Sequence, residues 1–161
     1  MMQDMLVRLL DLPNISKEEN TLLEKEGIIF RRPIAPEKSL VVHWIDMHFS
    51  KNWADEAEAA FSALPVNCFI AQKGQKILGF ACFESTAKNF FGPTGVLQNE
   101  RGKGVGKILL VKSLLSLRDM GYAYAIIGGV GPAAYYQQIV DAKIIEKSEK
   151  SIYQNLLKQP K

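Results

Sequence analysis

A glycine-rich, cationic segment directly before a long apolar run most limits what this chain can fold into. The segment QNERGKGVGKILL spans residues 98–110, and a helical pattern continues from it to about Met120. Glycine permits positive φ and close approach to a ligand, and the amides and dipole of a helix N-terminus bind anions. The side chains of Arg101, Lys103 and Lys107 add positive charge. The segment therefore predicts a phosphate-binding turn; a solvated turn without a ligand is the plainer alternative.

Two common phosphate-binding motifs do not fit this segment. A P-loop needs Gly-x-x-x-x-Gly-Lys-Ser/Thr, but Ile108 stands at the Ser/Thr position and Arg101 at the first glycine position. The dinucleotide fingerprint Gly-x-Gly-x-x-Gly fails because neither glycine pair has the third glycine at the required spacing. The pattern that is present is Arg-x-x-Gly-x-Gly, formed by Arg101, Gly104 and Gly106.

The sequence around this turn predicts a mixed α/β (α+β) domain. Strand patterns cover four regions: residues 28–34, 68–85 (a hairpin with Gly74 in its turn), 90–97 and 122–130. Helical patterns cover residues 1–12, 17–26, 37–64 with a break near Ser50, 104–120, and the segment after Pro132. Two closing strands or an irregular tail follow. Hairpins give antiparallel pairs, and a long helix between two strands gives a parallel crossover. We therefore expect a mixed, mostly antiparallel sheet of six or seven strands with helices on both faces.

The first 27 residues are predicted to form a helical extension ahead of a main domain over residues 28–161. Residues 1–12 are interpreted as a short amphipathic helix rather than a signal peptide, because charged residues interrupt the apolar run. Ser16 and Glu19 have the spacing of a capping box for the second helix of the extension.

Composition and the cysteines limit the class of protein. The 161 residues are 47% hydrophobic and 23% charged with a net charge of +3, which suits one globular domain and is too weakly basic to indicate nucleic acid. No uncharged stretch is long enough to span a membrane, and no metal-ligand spacing is present. A two-residue hairpin turn would place the thiols of Cys68 and Cys82 on opposite faces of the sheet, so a disulfide is not expected. We expect a cytoplasmic protein with no metal, membrane or nucleic-acid partner.

The Arg-x-x-Gly-x-Gly pattern, between a strand and a helix and followed by a second strand and helix, resembles the acyl-CoA-binding motif of the GNAT superfamily of N-acyltransferases. The resemblance covers about Ile28 to Glu146. It implies that the strand before the turn is splayed from its parallel neighbour, with pantetheine in the gap and the pyrophosphate in the turn. The positions that match the binding residues for acetyl-CoA are Val96, Gln98, Arg101, Gly102, Lys103, Gly104, Val105, Gly106 and Lys107.

The resemblance also implies catalytic positions. In the segment PAAYYQQIVDA, Tyr136 matches the tyrosine that protonates the departing CoA thiolate. Gly131-Pro132 stands where the family often has asparagine, and Asp141 where it usually has glycine. The strand before the turn has no acidic residue, so the general base is open: Glu84, one strand earlier, is one candidate, and Glu100 in the turn is another.

The activity that the resemblance implies is transfer of an acetyl group from acetyl-CoA to a primary amine of a small molecule or peptide. The acceptor side would be lined by residues from the helices after the first predicted strand: Trp44, Asp46, Trp53 and Glu56. The two carboxylates of that set would favour a cationic amine. A non-catalytic acyl-CoA-binding or protein-interaction module on the same fold is the alternative. Homodimers are common among proteins with this resemblance, and a homodimer is an open expectation here.

Overall fold

The computed structural model describes residues 2–160, which contain a sheet of seven strands, five α-helices and three short 3-10 helices. The strands are β1 (Gln3–Arg8), β2 (Ile28–Arg31), β3 (Cys68–Lys73), β4 (Lys76–Phe83), β5 (Phe90–Val96), β6 (Tyr124–Val130) and β7 (Lys143–Ile144). The helices are α1 (Ser16–Glu26), α2 (Lys38–His48), α3 (Lys51–Ala60), α4 (Val105–Asp119) and α5 (Ala133–Val140). The strand order is β2-β3-β4-β5-β6-β1-β7, and every neighbouring pair is antiparallel except β5 and β6. The expected mixed sheet is confirmed.

Alternating residues of the central strand β4 divide the core into two clusters. Ala81 and Phe83 belong to the cluster that includes residues of α1, α4 and α5, whereas Phe80 and Cys82 belong to the cluster that includes residues of α2 and α3. Successive side chains of a strand point to opposite faces of a sheet. Helices α1, α4 and α5 therefore cover one face, and α2 and α3 cover the other, as expected.

The prediction of a helix over residues 1–12 is wrong for Gln3–Arg8; only Leu9–Asp11 form a short 3-10 helix, and the first residue lies outside the described residues. The segment Gln3–Arg8 forms β1, which lies between β6 and β7. Met5 and Val7 are fully buried, and the residues that follow each of them are exposed. That alternation has the period of a strand. Strand pairing is favoured because β1 supplies the hydrogen-bond partners that the uncharged strand β6 would otherwise lack on that side. The division of the chain into an extension over residues 1–27 and a main domain over residues 28–161 stays a prediction.

Helix α1 is confirmed, but its predicted capping box does not form. The N-cap is Ile15, with no side-chain cap hydrogen bond, and Ser16 is already the first helical residue. The backbone amide of Ser16 instead donates to Oδ1 of Asn14 at 2.9 Å. The helix ends at Gly27, whose φ of 67° is the left-handed conformation that glycine adopts without strain.

The prediction that the two thiols face opposite sides of the sheet is also wrong. The β3–β4 hairpin turns at residues 74–75 as expected, but a register shift follows at Ala71 and Gln72. A β-bulge of this kind adds one residue to one strand and changes which side chains share a face. Cys68 consequently lies directly opposite Cys82. Both are free, buried thiols, and burial together with the neighbouring Cys68 raises the pKa of Cys82.

Strands β5 and β6 separate soon after they begin. They pair in parallel only at Phe90 with Ile126 and at Phe91 with Ile127. Beyond those pairs β5 continues to Val96 and β6 to Val130, so that a wedge-shaped gap opens towards their carboxyl ends. The chain crosses from one strand to the other through α4. None of the helices within residues 2–160 has the length and apolarity that crossing a membrane requires.

Candidate active site

The turn between β5 and α4 presents a row of free backbone amides. Within residues 2–160, the amides of residues 102–107 donate to no protein acceptor, and the first helical bond of α4 runs from the amide of Ile108 to the carbonyl of Gly104 at 3.2 Å. Gly102 has a φ of 85° and Gly104 a φ of 92°, and a Cβ at either position would meet nothing within 4 Å. Neither Cβ position is crowded, so lack of space does not explain the two glycines. The positive φ of the backbone is what requires glycine at both positions. Free amides that converge at a helix N-terminus form an anion-binding site.

The residues at the end of β5 direct their main-chain groups into the gap beside this turn. The amide of Leu97 donates to the carbonyl of Leu78 on β4 at 2.9 Å. Because hydrogen-bonding direction alternates along an antiparallel strand, the main-chain groups of Thr94 and Val96 point away from β4, into the gap. The carbonyl of Val96 accepts a hydrogen bond from Nε of Arg101 at 3.2 Å, which agrees with that orientation.

Three of the other predicted binding residues differ in how far their side chains are exposed. Gln98 and Lys103 are exposed on the surface of the turn, and Lys103 pairs with Glu100 at 2.7 Å, which raises the pKa of the lysine. Glu100 is thus engaged with a cation of the same turn. The side chain of Val105 is buried in the core, so only its amide is available to a ligand. The nine predicted binding residues thus lie in one continuous segment that covers the end of β5, the turn and the first turn of α4.

The paired tyrosines of α5 have different environments. Tyr136 is 7% exposed and packs edge-to-face on Phe91, the last residue of β5 that pairs with β6. Burial raises the pKa of Tyr136 to about 12. The hydroxyl of Tyr135 instead reaches over the first turn of α4, where a Cβ built on Gly106 would lie 3.1 Å from it. Helix α5 ends at Asp141 with a φ of 53°, which places Asp141 at the cap position expected from the sequence.

Sequence reasoning missed Tyr135. Its hydroxyl has no hydrogen-bond partner in the described part of the chain, and burial raises its pKa, so that it stays a protonated donor at neutral pH. The two consecutive tyrosines were the available signal in the sequence. Neighbouring residues of a helix point in directions about 100° apart, so if one tyrosine enters the core, the other is left to reach a different surface.

Glu84 lies in the turn between β4 and β5 and is engaged by two donors. Its φ is 58°. One carboxylate oxygen accepts from the backbone amide of Asn89 at 2.6 Å, and the other accepts from the hydroxyl of Tyr122 at 2.6 Å. The hydrogen bond to Glu84 is the largest contribution to a raised pKa of Tyr122. These contacts tie the β4–β5 turn to the start of β6.

Aromatic side chains cover β5 on the face of α2 and α3. A Cβ built on Gly95 would lie only 2.6 Å from the ring of Phe49, so a larger residue at Gly95 would displace that ring. Phe49 contacts Trp44 and Trp53, with ring centroids 5.7 Å and 5.4 Å away. The two tryptophans predicted to line an acceptor side therefore lie in one cluster, around a phenylalanine that the sequence analysis did not identify.

The two carboxylates predicted for the acceptor side lie apart. Glu56 is half-buried, accepts from the hydroxyl of Thr86 at 2.6 Å, and has its pKa raised by burial. Asp46 is exposed and lines a separate groove of about 260 Å³ together with residues such as His43 and Glu58. Only Glu56 is therefore next to the β4–β5 turn. Residues 2–160 contain no group of three or more His, Cys, Asp or Glu side chains arranged to hold a metal ion.

No protein-family model and no curated protein matches this sequence. Solved structures do match its fold. A GCN5-related glucosamine N-acetyltransferase region of a fungal multi-domain GH3 β-N-acetylglucosaminidase superposes with a TM-score of 0.69 and 16% identity, over 89% of this chain and 20% of that one. A GCN5-related N-acetyltransferase from Sphaerobacter thermophilus gives a TM-score of 0.68 and 16% identity, over 89% of this chain and 48% of that one.

A third structure has nearly the size of this chain. The GNAT family acetyltransferase from Brucella melitensis, in complex with acetyl-CoA, gives a TM-score of 0.57 and 18% identity over 74% of this chain and 88% of that one. At such identities the likeness concerns the fold alone. The chain has the fold of the GNAT superfamily of acetyltransferases. It spans about a fifth and about half of the first two proteins.

Proposed function

We propose that this protein is an N-acetyltransferase that moves the acetyl group of acetyl-CoA to a primary amine of a small molecule or peptide. The observation that carries the proposal is the row of free amides at residues 102–107, at the mouth of the gap between β5 and β6. A diphosphate supplies the acceptors that these amides lack. The similar GNAT structure from Brucella melitensis was determined in complex with acetyl-CoA, which supports the choice of ligand.

The gap offers the rest of the carrier a path along β5. Pantetheine contains amide groups, and the main-chain groups of Thr94 and Val96 point into the gap and can pair with them. The thioester would then reach the narrow end of the gap, where Phe91 is the last paired residue of β5. Tyr136 packs on Phe91, so the predicted acid lies at that end.

The chemistry is a direct transfer. The neutral amine attacks the carbonyl carbon of the thioester, a C–N bond forms, and the carbonyl oxygen takes the negative charge, which a main-chain amide of β5 at the narrow end of the gap stabilises. The C–S bond then breaks, and the thiolate takes a proton from Tyr136. A phenol with a pKa of about 12 is protonated at neutral pH and can act as this donor. The proton lost by the amine goes to a base.

Two carboxylates are candidates for that base. Glu84 stays a prediction; each of its oxygens already accepts a hydrogen bond at 2.6 Å, and these two hydrogen bonds make its carboxylate a weaker base. Within the described residues Glu56 accepts one hydrogen bond, from the hydroxyl of Thr86, and burial raises its pKa. The variants Glu84→Gln and Glu56→Gln separate the two candidates. The variant that removes the base should have a lower kcat, and the pH profile of its kcat should lack the acidic limb. A variant that only removes a contact of the turn should instead have a lower melting temperature.

The function is tested by following acetyl-CoA consumption over a panel of amines, peptides and aminoglycosides, with Tyr136→Phe as the comparison variant. We expect turnover on at least one amine, and a Tyr136→Phe variant that binds CoA normally but turns over about 100-fold more slowly. Equal turnover by both proteins would exclude Tyr136 as the acid. A cytoplasmic location and a homodimeric state stay predictions.

A non-catalytic acyl-CoA-binding or interaction module is the second candidate, because β5 carries no carboxylate and the contacts of Glu84 are those of a turn. Tight CoA binding without turnover on any acceptor would support it. Failure of CoA and acetyl-CoA to bind even at millimolar concentration would remove both candidates.

A further inference from the structure

Helix α1 places a row of carboxylates against the lysines of the phosphate-binding turn and of α4. Three ion pairs join them: Glu18 with Lys107 at 3.4 Å, Glu19 with Lys112 at 2.9 Å, and Glu26 with Lys103 at 3.4 Å. These contacts join residues that lie far apart in the sequence, so the docking of α1 creates them. Two of the three lysines, Lys103 and Lys107, belong to the predicted binding residues.

The ion pair farthest from the turn, Glu19 with Lys112, has the shortest contact of the three. Both carboxylate oxygens of Glu19 accept from Lys112, at 2.9 and 3.1 Å, and the same ammonium lies 5.8 Å from the ring centroid of Phe69. Lys112 is on the third turn of α4, away from the free amides at its N-terminus. This pair fixes α1 on α4 without involving the ligand site.

The two ion pairs at the turn have longer contacts between their charged atoms. Glu18 and Lys107 form a single contact at 3.4 Å between side chains that are 45% and 34% exposed. Oε2 of Glu26 is buried and makes no hydrogen bond within the described residues, although it lies 3.4 Å from Nζ of Lys103. The carboxylate of Glu26 is thus held near its lysine without the geometry of a full hydrogen bond.

The charges of the turn are balanced before a ligand arrives. Its three cations are Arg101, Lys103 and Lys107, and Glu100, Glu18 and Glu26 lie against two of them. Three positive and three negative side chains leave no net charge. The attraction that the turn offers a diphosphate therefore comes mainly from its backbone amides and from Arg101, because the two lysines are already partnered.

We propose that Glu18 and Glu26 of α1 set the affinity of the turn for CoA by competing with its phosphates for Lys107 and Lys103. This inference rests on the proposed function, because it takes the diphosphate of CoA as the ligand of the turn. Phosphate oxygens that approach Lys103 or Lys107 must displace a carboxylate or accept its repulsion. Helix α1 thereby lowers the affinity for phosphate-bearing ligands and makes it depend less on ionic strength.

The test is calorimetric titration of CoA into the full chain and into the variant Glu18→Gln/Glu26→Gln, at about 0.05 M and about 0.5 M salt. At low salt the double variant should bind CoA about two- to tenfold more tightly than the unmodified chain, and the gain should disappear at high salt. The matched control is Glu24→Gln, an exposed α1 carboxylate that forms no ion pair within the described residues. It removes a charge from the same helix and should leave CoA affinity within twofold.

A second measurement separates competition from a structural role. If the carboxylates merely hold the turn in shape, the double variant binds CoA more weakly, and unchanged or weaker binding overturns the inference. In the Glu18→Gln background, Lys107→Gln should cost more CoA affinity than it costs in the unmodified chain, because only there is the lysine free for phosphate. Should the double variant fail to fold, the single variant Glu18→Gln takes its place. An unmodified chain that binds no CoA removes the proposed function and this inference together; normal binding without the variant effect removes this inference alone.

Discussion

Replacing Gly104 by alanine tests whether the conformation of the turn, rather than its charge, holds the ligand. Gly104 is the N-cap of α4 with a φ of 92°, and an added Cβ would meet nothing within 4 Å. The substitution therefore adds backbone strain without a clash. Holding a residue other than glycine at such a φ costs about 1–2 kcal/mol. If the turn relaxes instead, the free amides of residues 102–107 no longer converge, and CoA affinity should fall at least about tenfold, or about 1.4 kcal/mol.

The matched control is Gly74→Ala in the β3–β4 turn. Gly74 has a φ of 58° and open space around its Cβ position, but it lies outside the ligand site. Urea unfolding should show a comparable loss of stability for both variants, about 1–2 kcal/mol. Calorimetric titration with CoA should show a loss of affinity only for Gly104→Ala. If that variant binds CoA like Gly74→Ala, the free amides do not hold the diphosphate and the reasoning fails.

Three further outcomes are expected. Met5→Ala should lower the free energy of unfolding by about 2–5 kcal/mol, because the Met5 side chain is fully buried. Leu6→Ala should change the free energy of unfolding little, because the Leu6 side chain is exposed. Equal effects of the two variants in urea unfolding would contradict the placement of β1. Tyr135→Phe should weaken CoA binding about tenfold in titration calorimetry by removing a donor to the phosphates, and unchanged binding would exclude that role. The hydrogen bond from Arg31 lowers the pKa of Glu37 to about 2, below its value in the unfolded chain. The pair therefore stabilises the fold fully above about pH 4.5, and this stabilisation is lost as the pH falls towards 2. Since both side chains are about one-third exposed, the difference in stability between the unmodified chain and Glu37→Gln should be about 1 kcal/mol at pH 6 and vanish near pH 2; a pH-independent difference would exclude the linkage.

The sequence was sufficient for the parts of the fold that local rules determine. The glycine-rich turn before α4 was predictable because Gly102 and Gly104 adopt conformations that only glycine takes easily, directly before an apolar helical run. The break between α2 and α3 at Ser50 was predictable for a similar reason, since the Ser50 hydroxyl accepts from the amide of Trp53 as an N-cap. The antiparallel β3–β4 hairpin and the parallel pairing of β5 with β6 were predictable from the hairpin turn and the crossover helix, whereas the place of β1 in the sheet was not.

The parts that depend on distant partners were not predictable in the same way. The segment Gln3–Arg8 has apolar residues that fit a helix or a strand, and only pairing with β6 decides between them. The faces of Cys68 and Cys82 depend on a bulge, which has no clear signal in the sequence. The orientation of Tyr135 towards Gly106 depends on how α5 packs against α4.

The position of β1 has a consequence for biosynthesis. Met5 pairs with Ile127 on one side and with Ile144 on the other. A ribosome extends the chain from its N-terminus, so β1 emerges long before either neighbour exists. A nascent chain that has not reached residue 127 carries an unpaired apolar strand, which is a target for chaperones and for association with other chains. Contacts between residues so far apart in the sequence also slow folding. The pairing of β6 with β1, and with it the β6 side of the gap, should therefore form late in folding.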